Sequence, residues 1–315
     1  MKVRYFWIDY IKVLAIFAVV LGHMNTPFTS FIYSWHMPIF YMISGAFLKK
    51  EESHKVIILH SFKRLMIPYF VFSVIALIIE VFKRKLLDRV PLDVIEQLYG
   101  VIFWMDFEHL KASYAFLLWF LPSLFFARLI LNYVVKKSFS LQVLLITFLT
   151  YISLRVNLPF SLDNAFLAIS FLWFGYVIFQ YLHRPNNSFN FLYGLVAFII
   201  LLIVYFWIGF PKVDISSKEI ENIFIAILWS CSIFILLMVL FDKLCTNPPM
   251  KIVSIISYNT MIIYLLHPYT NNIGFIISSY YGSAWVFQIL ISSLLLAVLI
   301  FLKNIIERKG IKLYV

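Results

Sequence analysis

The chain has 315 residues, of which 63% are hydrophobic and only 13% charged, at a mean hydropathy of +0.93. Soluble domains carry about 25% charged residues, so this composition excludes a water-covered surface and points to lipid as the solvent. The net charge of +11 does not mark a nucleic-acid partner, because the basic residues lie in short clusters between apolar runs, where they act as topology signals and headgroup contacts.

A span needs roughly 20 apolar residues. That ruler predicts an all-α, polytopic integral membrane helical bundle of about ten transmembrane helices, forming one domain over residues 1–315. In chain order the spans are Trp7–Met24, Tyr33–Leu48, Leu65–Phe82, Tyr114–Val135, Leu141–Val156, Leu162–Leu182, Phe191–Gly209, Ile223–Phe241, Ile252–His267 and Ala284–Leu302. The first run carries Asp9 and Lys12 and no small-residue cleavage site, so it is predicted to remain as a helix. Cys231 and Cys245 define no disulfide framework.

Loop charge sets the orientation. With both termini in the cytoplasm, sixteen of the 26 basic residues fall on the inner side, Lys2, Arg4, Arg184, Lys309 and Lys312 among them, and eight on the outer side. The cluster Lys83-Arg84-Lys85 runs against the bias. Two outer segments are long: residues 83–113 read as an interfacial helix or a lid, and residues 210–222 as solvated loop.

Ionisable groups inside spans are expensive and mark function by default. The first span carries Asp9, Lys12 and His23. Lys12 and His23 are eleven residues apart, which at 100° per residue returns to nearly the same helix face with a rise of about 16 Å. Asp9, three residues before Lys12, stands at ion-pair spacing. His36 and His267 fall at the same predicted membrane side as His23, which points to a shared site. Each also has a structural reading beside a proline (Pro38, Pro268), where a ring nitrogen takes up a freed carbonyl. Lys12 has a structural reading too, as a snorkelling anchor paired with Asp9. Arg128, in the inner half of its span, binds an anionic ligand or snorkels.

These residues carry a resemblance. Asp9-Tyr10-Ile11-Lys12 through Leu21-Gly22-His23, then His36-Met37-Pro38-Ile39-Phe40-Tyr41-Met42-Ile43-Ser44-Gly45, Lys63-Arg64-Leu65-Met66-Ile67-Pro68-Tyr69, Leu118-Trp119-Phe120-Leu121-Pro122 and Ile263-Tyr264-Leu265-Leu266-His267 occur in the order of the acyltransferase family 3 membrane proteins. Within that family the chain resembles the fucose 4-O-acetylase-like group. Many members have Arg where Lys12 stands, which keeps the charge and loses bidentate phosphate geometry. The resemblance implies a cell-membrane O-acyltransferase that moves acetyl from acetyl-CoA to a sugar hydroxyl of an envelope polysaccharide or lipid-linked glycan, without a metal. It implies catalytic roles for His23, Lys12, Asp9, His36 and His267, and donor binding by Lys12, Lys63, Arg64, Arg128 and Ser44. His23 is then expected to be the general base, with a covalent acyl-histidine as the alternative. Ser44 donates to the thioester oxygen, or Ser44-Gly45 serves close helix packing. The rival class is a glycan or lipid transporter, which is expected to show internal repeats or broken helices in corresponding halves; the sequence shows neither.

Overall fold

The computed structural model describes residues 5–24, 26–51, 53–182, 191–245, 247–281 and 285–308. Lys2, Arg4, Arg184, Lys309 and Lys312 of the charge count, and Ala284 at the start of the last predicted span, lie outside the described residues.

The helices are α1 (Phe6–Gly22), α2 (Thr29–Tyr33), α3 (His36–Ala46), α4 (His54–Ser61), α5 (Ile67–Leu86), α6 (Val94–Tyr99), α7 (Phe107–Leu110), α8 (Phe120–Val134), α9 (Phe139–Ser153), α10 (Leu162–Leu182), α11 (Phe191–Ile208), α12 (Ile223–Leu244), α13 (Lys251–Tyr258), α14 (Thr260–Ser279) and α15 (Trp285–Arg308). π-helical turns at Phe62–Met66 and Gly100–Trp104 continue α4 and α6, and a 3₁₀ turn at Tyr114–Trp119 leads into α8. Each of the ten predicted stretches overlaps at least one of these helices, and the molecule is an all-α membrane bundle. Among the described residues, six helices are long and apolar enough to cross a membrane by themselves, and α13 with α14 makes a seventh if counted as one span bent by 78°. The helices α1, α3 and α9, with 17, 11 and 15 residues, are shorter.

The short helix α3 is a protein-facing element. Ile39, Tyr41 and Met42 are fully buried, and α3 lies so close to α10 that two glycines interlock. A methyl group on Gly45 would run into the carbonyl oxygen of Leu172, and one on Gly175 into that of Met42. Small residues are what allow two backbones to approach this closely in a membrane. The Tyr41 hydroxyl donates to Ser123 Oγ at 2.9 Å, joining α3 to α8. Arg128, on α8, donates to Ser44 Oγ at 2.7 Å. The Arg128 guanidinium thus turns toward α3. Of the two readings of Ser44-Gly45, close packing is seen at Gly45, while the Ser44 hydroxyl accepts from Arg128.

Three expectations change. The ninth span does not end at His267, because α14 continues to Ser279 through Pro268. Proline removes the N–H that would bond the carbonyl of Tyr264, and His267 Nδ1 takes that carbonyl instead at 2.6 Å. Residues 210–222 are not solvated loop but a hairpin of β1 (Val213–Asp214) and β2 (Glu219–Ile220), with Val213 and Ile215 buried in the bundle. The cluster at residues 83–85 is committed to structure. Lys83 and Arg84 each bond Glu80 at 3.0 Å, and Arg84 also reaches the carbonyls of Val90 and Ala112. Charges held this way fasten the 83–113 segment and carry little topological signal.

Candidate active site

The site grows from the C-terminal end of α1. The helix stops at Gly22, and Gly22 is needed there because a Cβ would come within 2.9 Å of Ile32 on α2. This close approach folds α2 back over α1 and delivers His36 to the same end of the bundle as His23. The side chain of Asn271, on α14, donates to the carbonyl of Val20 at 2.8 Å, an orphan acceptor of the last turn of α1. Asn271 is itself held from α15, its Oδ1 accepting from Ser292 Oγ at 2.6 Å and its carbonyl from Gln288 at 3.2 Å. Breaking this tie with Asn271→Leu is expected to destabilise the detergent-purified protein by about 1–2 kcal/mol, read as a lower apparent melting temperature.

The three histidines meet. His23 and His267 have ring centroids 5.1 Å apart, and Tyr33 bridges to His36, with centroids 5.1 Å from His36 and 6.0 Å from His23. The Tyr33 hydroxyl lies 3.4 Å from His23 Nδ1. His36 Nδ1 sits 2.8 Å from the carbonyl of Ile32. A carbonyl only accepts, so the Nδ1 atoms of His36 and His267 carry the proton, and each neutral ring presents its Nε2 lone pair. Nε2 of His267 is buried with no hydrogen-bond partner among the described residues. The structural reading beside a proline is seen for His267, whose carbonyl partner is the one Pro268 frees; the partner of His36, Ile32, also accepts from the Trp35 amide. The two contacts fix the tautomers of two rings beside His23. His23 differs from both because it is exposed, whereas His36 and His267 are buried.

His23 opens into a cavity of about 270 Å³ that also takes in Tyr33, His36, Phe107, Trp119 and Asp214. A second cavity of about 140 Å³ lies deeper, among Ile16, Phe40, Phe120, Leu124 and Met261. Val19, Met37 and Tyr264 line both, so the two adjoin. On three helices the wall of the deeper cavity is followed, one turn further on, by a polar or cationic residue: Lys12 after Ile16 on α1, Ser44 after Phe40 on α3, Arg128 after Leu124 on α8. The α8 column goes on to the buried Asn132, to which Lys136 donates at 3.2 Å. Asp9 and Arg64 are the charged groups acting on Lys12. Lys63 and Arg64 project, exposed, from the π-helical turn at Phe62–Met66. Asp9 also accepts from Ser257 Oγ at 2.6 Å, tying α1 to α13.

This ordered set carries one more finding. The acyltransferase domain of acyltransferase family 3 matches residues 5–302. The chain belongs to that family. It is a membrane acyltransferase, and the family match spans all the elements just described. No curated protein and no solved structure matches the chain. Among the described residues, no group of three His, Cys, Asp or Glu side chains is placed to hold a metal ion.

Sequence reasoning passed over four residues of this acyltransferase site. Tyr33 precedes His36 by three positions and was open to a helical-spacing argument. Tyr264 precedes His267 by the same three positions. Asn271 and Asp214 carried no local signal, since one acts across 251 residues and the other from a loop.

Proposed function

We propose that this acyltransferase moves an acetyl group from acetyl-CoA to a sugar hydroxyl of a cell-envelope glycan or lipid-linked precursor. The observation that carries the reading is that Lys12, Ser44 and Arg128 stand one helical turn beyond the apolar deeper cavity, which adjoins the cavity of His23. Coenzyme A is polyanionic at one end and carries its thioester at the end of a long, weakly polar arm. The cations suit the first, and the apolar wall suits the arm. The Lys12–His23 rise of about 16 Å agrees with the roughly 15–20 Å reach of an extended pantetheine. Positive-inside bias supports a cytoplasmic position for the cationic end, on the side where acetyl-CoA is made.

In this mechanism the acceptor hydroxyl gives its proton to His23 as its oxygen attacks the thioester carbonyl. The C–S bond then breaks, and the coenzyme A thiolate leaves with the proton from the imidazolium. His36 and His267, fixed as Nδ1–H tautomers, hold the neighbouring wall, and Asp9 anchors the helix that carries both Lys12 and His23. Arg128 serves the donor, through charge and through Ser44.

The test supplies membranes with acetyl-labelled acetyl-CoA and a de-O-acylated envelope glycan fraction. Label is expected in an alkali-labile glycan ester. Movement of glycan across the membrane without label, from folded protein, would favour the transporter. Arg128→Ala is expected to raise the half-saturating acetyl-CoA concentration about tenfold or more, the scale of a lost charge-assisted hydrogen bond. Arg128→Lys should recover part of the loss, and an unchanged donor dependence removes Arg128 from the donor site.

A further inference from the structure

The β1–β2 hairpin is fastened over the histidine cavity. Lys218, at the turn with φ of 60°, donates to the buried Asp163 carboxylate at 2.8 Å, to the carbonyl of Val156 at 3.2 Å and to Asn157 Oδ1. At its base, the Phe210 ring packs on Phe31 of α2 and Trp229 of α12, with centroids 5.2 and 6.1 Å away. Between these anchors Asp214 reaches the cavity. Its Oδ1 accepts from the Ser216 amide and hydroxyl at 2.9 and 2.6 Å and from the Ser217 amide at 3.3 Å. Its Oδ2 has no hydrogen-bond partner among the described residues, and its charge acts on His23, His36 and Tyr33.

We propose that the hairpin is the acceptor-recognition element: Asp214 binds hydroxyls of the acceptor sugar and turns one of them toward His23. This inference rests on the acyl-transfer reading above and adds to it the subsite for the acceptor. A carboxylate oxygen accepts from neighbouring hydroxyls of one sugar ring, and it does so strongly because it is charged. Tyr33, Phe107, Phe116 and Trp119 line the same cavity and offer flat apolar faces to the C–H side of that ring. A few placed polar groups on an aromatic wall are what orient a small ligand in a site. The serines hold Oδ1, so the carboxylate is set before the acceptor arrives.

The experiment uses the full chain in proteoliposomes, labelled acetyl-CoA and the de-O-acylated glycan fraction. Asp214→Asn keeps the Oδ1 acceptor of the turn and so keeps the hairpin. The expected result is a half-saturating glycan concentration raised about tenfold or more, with a smaller fall in maximal rate. A second readout, independent of transfer, is thermal stabilisation by glycan fragments, expected for the native chain and lost in Asp214→Asn. Unchanged glycan dependence, or a loss confined to maximal rate, overturns the acceptor subsite while transfer stands. Glycan stabilisation that depends on Asp214 without any transfer upholds the subsite and overturns the transferase reading. A native chain that neither transfers nor is stabilised overturns both.

Discussion

Replacing His23 with alanine is expected to lower acetyl transfer by about 10²–10⁴-fold, the usual contribution of a positioned general base, or roughly 3–5.5 kcal/mol of barrier. The protein should still fold, because α1 has ended at Gly22 and the His23 ring is exposed in its cavity and not packed in the core. Initial rates with labelled acetyl-CoA, set beside the melting profile of the purified variant, make the comparison. Full activity in a normally folded His23→Ala protein would take the base role away from this residue. His36→Ala and His267→Ala differ in kind. His267→Ala frees the Tyr264 carbonyl in the bundle, and His36→Ala removes a buried ring and its hydrogen bond to the Ile32 carbonyl, so lost rate there should come with lost stability. A base is distinguished by rate loss alone.

The largest structural effect is expected at the crossing of α3 and α10. Gly45→Ala directs a methyl group into the Leu172 carbonyl, and Gly175→Ala directs one into that of Met42. Neither neighbour is a side-chain end that can swing away, so the helices must separate. Overpacking usually costs about 1–3 kcal/mol, and a clash with backbone belongs at or above the top of that range. Both variants should lose most of the monodisperse protein recovered in mild detergent. The damage should reach the site as well, since moving α3 draws Ser44 from Arg128 and His36 from Tyr33. Gly209 is the control: its φ is +77°, but nothing lies within 4 Å of a Cβ there. Gly209→Asn, a residue that tolerates the left-handed region, should leave recovery near normal. Equal recovery for Gly45→Ala would show that the crossing is looser than described.

Much of this architecture is readable because lipid makes a simple demand. Backbone groups must be satisfied within a helix and side chains must be apolar, so the predicted bounds of α10, Leu162–Leu182, agree with the observed ones. The same demand singles out Lys12, His23 and Arg128, since a costly charge in an apolar run needs a reason. It also puts the three histidines at one end of the bundle, because depth follows from position along a span. The membrane-acyltransferase class was legible as well, through ordered blocks from Asp9 to His267.

What the sequence could not supply is lateral. Hydropathy gives depth in the membrane but not which helix stands beside which. That Arg128 meets Ser44, 84 residues away, or that the His23 ring lies beside that of His267, depends on how α1, α3, α8 and α14 pack. Gly45 and Gly175 acquire meaning only as a pair across that packing. The residues 210–222 read as solvated loop because mixed charge with few apolar residues signals solvent. In the folded chain Lys218 pairs with Asp163 and Lys212 with Glu219, and Val213 and Ile215 are buried. Composition and periodicity, then, determined the solvent, the helices and the depth of the reactive groups, because each of these is set by neighbours along the chain. The cavity, the tautomers of its histidines and the carboxylate above them were decided by tertiary structure, because they come from contacts between residues far apart in sequence.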